Sequence, residues 1–329
     1  MPKTVRFHET GGPEVLKIEE MPVIEPVADE VRLQVEALGL NRAEAAFRSG
    51  MYLEAPRLPA RIGYEAAGVI DAVGSEVTDL KVGDRVSSIP GFSMNRYGVY
   101  AESAVLPARC VARYPGSMPV VEGTAIWMQY LTAWGGLVRI GHLAAGDAVV
   151  ITAASSSVGL AAIQICNMLG ATAIATTRHA DKKQSLLGHG AAHVIVTEEE
   201  DLVARVMAIT DGVGADITFD PITGPFLGLM AGAAKKGGLV IAYGSLHQGI
   251  TEFPLFAAAG KALTIRAYTL FEFSQDPGLL APGKKFVMDG LESGALKPVI
   301  DRTFPFDQIV AAHEYLESNR QMGKIVVTV

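Results

Sequence analysis

From Ala148 to Tyr268 the chain repeats one pattern: a short, almost wholly apolar run, then a segment long enough for a helix. The runs are Ala148 to Thr152, Ala171 to Thr177, His193 to Val196, Asp216 to Asp220, Leu239 to Gly244 and Ala262 to Tyr268. Helical spacing fills the intervals between the first five, at Ser157 to Leu169, Asp181 to Leu187, Leu202 to Ile209 and Pro225 to Ala233. Strands without apolar/polar alternation are buried on both faces, and helices between them supply the covering layers. The pattern predicts an α/β fold, a Rossmann doubly wound parallel sheet.

The remainder has a different texture. Up to about Gly116, short segments separated by Gly and Pro read as strands, among them Val31 to Leu38, Asp84 to Ile89 and Ala101 to Leu106. They predict an antiparallel, barrel-like β domain interrupted by one helix, Arg42 to Arg48. A helix running on from Glu122 and broken at Gly141 leads out of it. The tail from about Phe286 holds one amphipathic helix, Asp307 to Glu317, and a final strand, Lys324 to Val329, expected to return to the first domain.

Charge and composition exclude several roles. A net charge of -7 with no Lys/Arg-rich run lacks the electrostatic footprint of a nucleic-acid binder. No apolar stretch approaches a membrane span and the N-terminus lacks a signal-peptide core, so a cytoplasmic protein is expected. Cys110 and Cys166 stand far apart, which rules out a disulfide framework or a four-thiolate zinc site.

The chemistry-bearing segment is Ala148 to Gly159, AVVITAASSSVG: a buried strand, a turn of small residues, a helix start. Small residues let a pyrophosphate approach the backbone N–H groups at a helix N-terminus. Ser155, Ser156, Ser157, Val158 and Gly159 are therefore expected to bind cofactor, although Ser156 stands where the glycine-rich pattern has its middle glycine. The second strand ends at Thr177, followed by Arg178 and Lys182, with no acid at the strand end where a 2′-hydroxyl would need one. Two cations suit a 2′-phosphate, so Thr177, Arg178 and Lys182 predict NADP(H) as cofactor. Asp181 is read as a helix N-cap.

Motifs along nearly the whole chain resemble the medium-chain dehydrogenase/reductase superfamily, in its zinc-independent quinone oxidoreductase branch. They are Gly11 to Leu16, Asn41 with Arg48-Ser49-Gly50 and Tyr52, Gly63 to Gly68 running to Val73-Gly74, and Gly83 to Val86. The series continues with Leu131 to Trp134, the AASSSVG loop, Asp220-Pro221, Tyr243-Gly244 and Gly323 to Val327. The resemblance implies a GroES-like β-barrel catalytic domain formed by residues 1–122 and 263–329, with the Rossmann cofactor domain at 123–262. Relatives that bind zinc use a Cys and a His where this chain has Asn41 and Tyr64, both poor zinc ligands. No bound metal is expected, and Glu65 is expected to be a buried, hydrogen-bonded carboxylate.

The resemblance further implies that Asn41 and Thr132 contact the nicotinamide end, and that Tyr243, Gly244, Leu246 and Lys324 also belong to the cofactor site. Without a metal, the expected reaction is direct hydride transfer from NADPH to a quinone or an α,β-unsaturated carbonyl, substrates that delocalise the developing charge. Tyr52, preferred, or Tyr64 would donate the proton, with Asn41 in the same site. Phe47, Met51, Phe92, Trp127, Trp134 and Phe271 are candidates for an apolar pocket. An enoyl-thioester reductase, a zinc-free alcohol dehydrogenase and a non-catalytic NADPH-binding protein are the alternatives. The apolar strand at 262–270 reads as a sheet edge, which predicts a homodimer through that edge.

Overall fold

A computed structural model describes residues 1–329, which form two compact units. The first comprises Met1–Met128, Phe273–Met288 and Pro298–Val329; the second comprises Gln129–Glu272 and Asp289–Lys297.

The first unit is built on the strand Glu30–Gly39. Val31, Leu33, Val35 and Ala37 are buried while Gln34 and Glu36 face solvent, the alternation a half-buried strand requires. One edge of this strand pairs antiparallel with Glu65–Val73. Its other edge serves two partners in succession, Ser103–Pro107 along residues 30–34 and Lys324–Thr328 along residues 37–39. The terminal strand thus returns to the first part of the chain. Beyond it lies Ile300–Pro305, and beyond Glu65–Val73 lie Arg85–Ser88 and Val111–Arg113, completing a seven-stranded sheet. A separate three-stranded sheet places Lys3–Phe7 between Lys17–Glu20 and Ala60–Arg61.

The predicted helix Arg42–Arg48 forms as expected and buries Ala45 and Phe47. A longer one, Pro277–Glu292, is new. Its sequence hides it, because Pro277, Gly278, Pro282, Gly283 and Gly290 read as turn residues, and only tertiary packing overrides that preference.

In the second unit six parallel strands lie in the order 193–196, 172–177, 148–151, 215–220, 234–242, 264–267. Numbered along the chain that order is 3-2-1-4-5-6, the doubly wound arrangement. Val150, Ile174, Ile195 and Val240 are wholly buried at its centre, each contributing on the order of 1.5 to 3 kcal/mol of apolar burial. The helices Ser157–Leu169, Leu202–Ile209 and Pro225–Ala233 fall where periodicity places them. The expected change of domain at 262/263 comes too early. Thr264–Ala267 pairs in parallel with Ala234–Ala242 as the edge strand, so backbone hydrogen bonding carries this sheet beyond that point. No helix is long and apolar enough to cross a membrane.

Candidate functional site

In a sheet of this order the first and fourth strands are neighbours whose connections leave in opposite directions, which opens a crevice at their C-terminal ends. Ala148–Ile151 and Ala215–Asp220 are those strands. A hydrogen bond from the Thr152 hydroxyl to the Asp220 carboxylate straddles the gap at its floor. Asp220 also accepts from the backbone N–H groups of Ile222 at 3.1 Å and Thr223 at 2.8 Å, fixing the loop after the fourth strand. Burial raises its carboxyl pKa, against the pull of these donors.

The turn after Ile151 delivers the chain to the helix Ser157–Leu169, with Ser156 as N-cap. The Ser156 hydroxyl accepts from the N–H of Gly159 at 3.0 Å. A Cβ on Gly159 would lie 2.6 Å from the Ala154 backbone, so glycine is required for the loop to fold back this closely. The second strand ends beside this turn at Thr177, and Lys182 donates to the Ser155 hydroxyl at 3.1 Å. Arg178 is exposed and its guanidinium has no protein partner. Asp181 lies inside a 3-10 turn, Ala180–Lys182, and makes no capping bond. Its predicted N-cap role is therefore corrected: the helix Lys183–Gly188 begins two residues later, entered from Lys182 without a side-chain cap.

After the fifth strand, Tyr243 stacks on Phe219 with ring centroids 4.0 Å apart. Its phenol is buried beside Ser156 and Asp220 without a hydrogen bond of ordinary geometry, and burial holds it well above the usual phenol range. Gly244 packs against Pro221, and the Leu246 N–H bonds the Pro221 carbonyl at 2.9 Å, leaving the Leu246 side chain exposed. Thr132 is buried, and its carbonyl accepts from the Tyr268 hydroxyl at 3.2 Å. A small-residue turn at a helix start, an unpaired guanidinium and an orphaned buried phenol fit a phosphorylated dinucleotide.

The other predicted residues gather in the first unit. Asn41 is extended and precedes the helix Arg42–Arg48, but its amide caps nothing. The amide nitrogen donates to Glu65 at 3.1 Å and Glu44 at 3.2 Å, while the amide oxygen accepts from Lys324 at 2.6 Å. Lys324 also pairs with Glu65, both side chains sealed from solvent. Lys324 is thus committed to this cluster and has no exposed surface to offer a ligand. Glu65 is buried and hydrogen bonded, as expected, and accepts from the Met128 N–H at 2.8 Å.

Glu44 was not among the expected residues. One of its oxygens accepts from the Tyr64 N–H at 3.0 Å and the other has no partner, while burial raises the carboxyl pKa to about 7. The signal was present, since Asn41 and Glu44 have capping-box spacing; here Glu44 turns inward instead of back to the helix start.

Tyr52 and Tyr64 lie side by side, ring centroids 6.2 Å apart and tilted by 56°. Burial pushes Tyr52 up to about 12 and Tyr64 well above the phenol range, so both are neutral donors at physiological pH. Tyr64 is nearly inaccessible and Tyr52 is half-buried. Gly63 holds the preceding turn at φ +108, its missing Cβ occupied by the Tyr100 ring. Phe47 and Phe92 flank the tyrosine pair, Met51 is exposed, and Trp127 is buried with its indole N–H on Ser87 at 2.9 Å. Trp134 and Phe271 belong to the second unit. No group of three or more His, Cys, Asp or Glu side chains is gathered as metal ligands.

Residues 27–116 match the family model for the alcohol dehydrogenase GroES-like domain, and residues 189–327 match that for zinc-binding dehydrogenases. Quinone oxidoreductase from Pongo abelii is 32% identical, over 99% of this chain and 97% of its own length. The chain belongs to the quinone oxidoreductase family of medium-chain dehydrogenases/reductases. Among solved structures, Escherichia coli quinone oxidoreductase complexed with NADPH superposes with a TM-score of 0.93 at 29% identity, covering 99% of this chain and 100% of that one. An NAD-dependent alcohol dehydrogenase superposes at 0.90 with 31% identity, covering 99% of each chain. The quinone oxidoreductase family thus accounts for the whole length of the chain, with a GroES-like unit and a Rossmann unit.

Proposed function

We propose that the protein reduces quinones or α,β-unsaturated carbonyls with NADPH, by direct hydride transfer and without zinc, in a cytoplasmic setting. The carrying observation is electrostatic. In a chain of net charge -7, Arg178 is left unpaired and Lys182 is turned onto the phosphate loop, at the strand end where a ribose 2′ substituent belongs. A doubly charged 2′-phosphate would compensate both. The Escherichia coli relative, which holds NADPH, supports the same reading.

Bound NADPH supplies the hydride; the remaining work falls to side chains. The N–H groups of Ser157 and Val158, with Ser155 and Ser156, would hold the pyrophosphate where Gly159 lets the loop fold back, and Tyr243, Gly244 and Leu246 would border the cofactor beyond the fifth strand. The Tyr52 phenol, neutral and packed beside Tyr64, is the proton donor: one hydride and one proton convert an enone carbon–carbon double bond to a single bond, or a quinone to its hydroquinone. Lys324 supports the zinc-free reading, because its ammonium lies 2.6 Å from the Asn41 oxygen and would repel a divalent cation there.

The test is NADPH oxidation by purified protein over a panel of quinones, enals, enones and enoyl thioesters, with elemental analysis of the same sample. Turnover with negligible zinc is expected. Tight NADPH binding with no turnover across the panel would make the chain a binder rather than an enzyme, and one zinc per chain would overturn the metal-free mechanism.

A homodimer through the 262–270 edge forms part of the proposal. Thr264–Ala267 has one unpaired edge, and Ile250, Phe253, Leu255 and Phe256 just before it are 59% to 92% exposed. Light scattering at micromolar concentration is expected to give twice the chain mass; the monomer mass would reject it.

A further inference from the structure

The three-stranded sheet of the first unit carries three cations in a row. Lys17 stands opposite Arg6, and Arg6 opposite Arg61, in strand registers that turn paired side chains to one face. Like charges directly opposite one another destabilise a sheet. Arg6 is compensated by Glu19, which accepts from its Nη1 at 2.9 Å, although the same carboxylate also holds His8. Arg61 has no carboxylate. One of its nitrogens donates to the Arg96 carbonyl, and burial together with the Arg6 charge lowers its pKa from the ordinary arginine value.

Arg6 and Arg61 both line a cavity of about 300 Å³. Val23, Ile24 and Val105 form an apolar part of its wall, and Val23 and Ile24 are 51% and 46% exposed. The space therefore joins an uncompensated planar cation to hydrocarbon surface left in water. We infer that this cavity is a second binding site, one that takes a small organic carboxylate with its hydrocarbon or aryl part against Val23, Ile24 and Val105. A guanidinium matches a carboxylate through two parallel N–H···O bonds. Inorganic phosphate would satisfy the charge and gain nothing from the apolar wall. The residues involved are distinct from the Asn41, Tyr52 and Tyr64 cluster, so occupancy is independent of the reductase proposal.

Titration calorimetry of the full chain with benzoate tests this, with benzamide and inorganic phosphate as comparisons. Saturable benzoate binding in the millimolar range or tighter is expected, with benzamide and phosphate weaker. Arg61→Gln should weaken benzoate at least about tenfold, the loss of a charge-assisted bond, while NADPH oxidation is unchanged. Should Arg61→Gln fail to fold, Arg61→Lys keeps the charge, loses the fork, and is expected to weaken benzoate severalfold. The site is refuted by benzoate affinity that neither variant changes, by no saturable benzoate signal, or by benzamide or phosphate binding as tightly as benzoate.

Discussion

In the second unit Arg178, after the second strand, is left with an unpaired guanidinium and Tyr243, after the fifth, with an unsatisfied phenol, whereas in the first unit Lys324, Glu65 and Asn41 are buried and bonded to one another. Both are polar clusters at points where several strands converge. Groups left without protein partners are available to a ligand, so their removal should show in binding. Groups that satisfy one another hold the fold, so their removal should show in stability.

The largest expected effect follows from the sealed cluster. Lys324→Met leaves Glu65 buried without its cation and is expected to cost about 3 to 5 kcal/mol in urea denaturation, part of it restored by adding Glu65→Gln. A loss below about 1 kcal/mol would break the contrast at its first step. The open cluster should give the reverse signature. Arg178→Ala combined with Lys182→Ala is expected to weaken NADPH by about 3 kcal/mol, roughly a hundredfold, with NADH affinity little changed. Ligand-free stability should move by no more than about 0.5 kcal/mol. Equal losses for the two cofactors would remove these residues as 2′-phosphate ligands.

A smaller effect depends on pH. Burial raises Glu44 from 4.5 to about 7, so the folded chain keeps a proton that the unfolded chain releases. The stability this group contributes is complete below its unfolded value and is lost as pH rises through 7. Glu44→Gln, which stays neutral, should gain on the wild type by about 1 to 3 kcal/mol between about pH 5 and 8. His313 works the other way, since burial and Arg48 lower it to about 3 and its stability is lost as pH falls below 6.5. It is common to both proteins and drops out of the difference. A flat difference across the range would show Glu44 to be ionised in the folded chain. The smallest effect is expected at Tyr52, half-buried beside the sealed cluster. Tyr52→Phe should lower kcat about tenfold, or 1.4 kcal/mol, with NADPH affinity retained. An unchanged kcat would assign the proton to another donor.

The contrast also explains what the sequence made legible. The parallel sheet was readable because burial on both faces leaves unbroken apolar runs such as Ala148 to Ile151, and the phosphate loop because close backbone approach demands small residues. The sealed cluster was only half readable. Asn41 and Glu65 stood in motifs, but Glu44 looked like a helix-start acid, and Lys324, more than 250 residues away, looked like a ligand. Their meeting depends on the pairing of Gly39 with Val326 and of Gly39 with Glu65, long-range contacts that no local pattern encodes. The edge strand was found, yet its domain was assigned too early, because hydrogen-bond partnership and not composition decides where a sheet ends. Pro277–Glu292 was missed because its prolines and glycines speak locally against the helix that packing enforces.

The cation that neutralises Glu65 is carried by the last strand of the first unit, Lys324–Thr328. During synthesis on the ribosome, the strands of the second unit, all between residues 148 and 267, emerge before that lysine. The Rossmann sheet can close while Glu65 still faces water, because sealing that carboxylate without the ammonium would strand a charge. Completion of the first unit therefore waits for Lys324, and a nascent chain that has not yet reached this lysine would leave Glu65 hydrated while the strands of the second unit already pair.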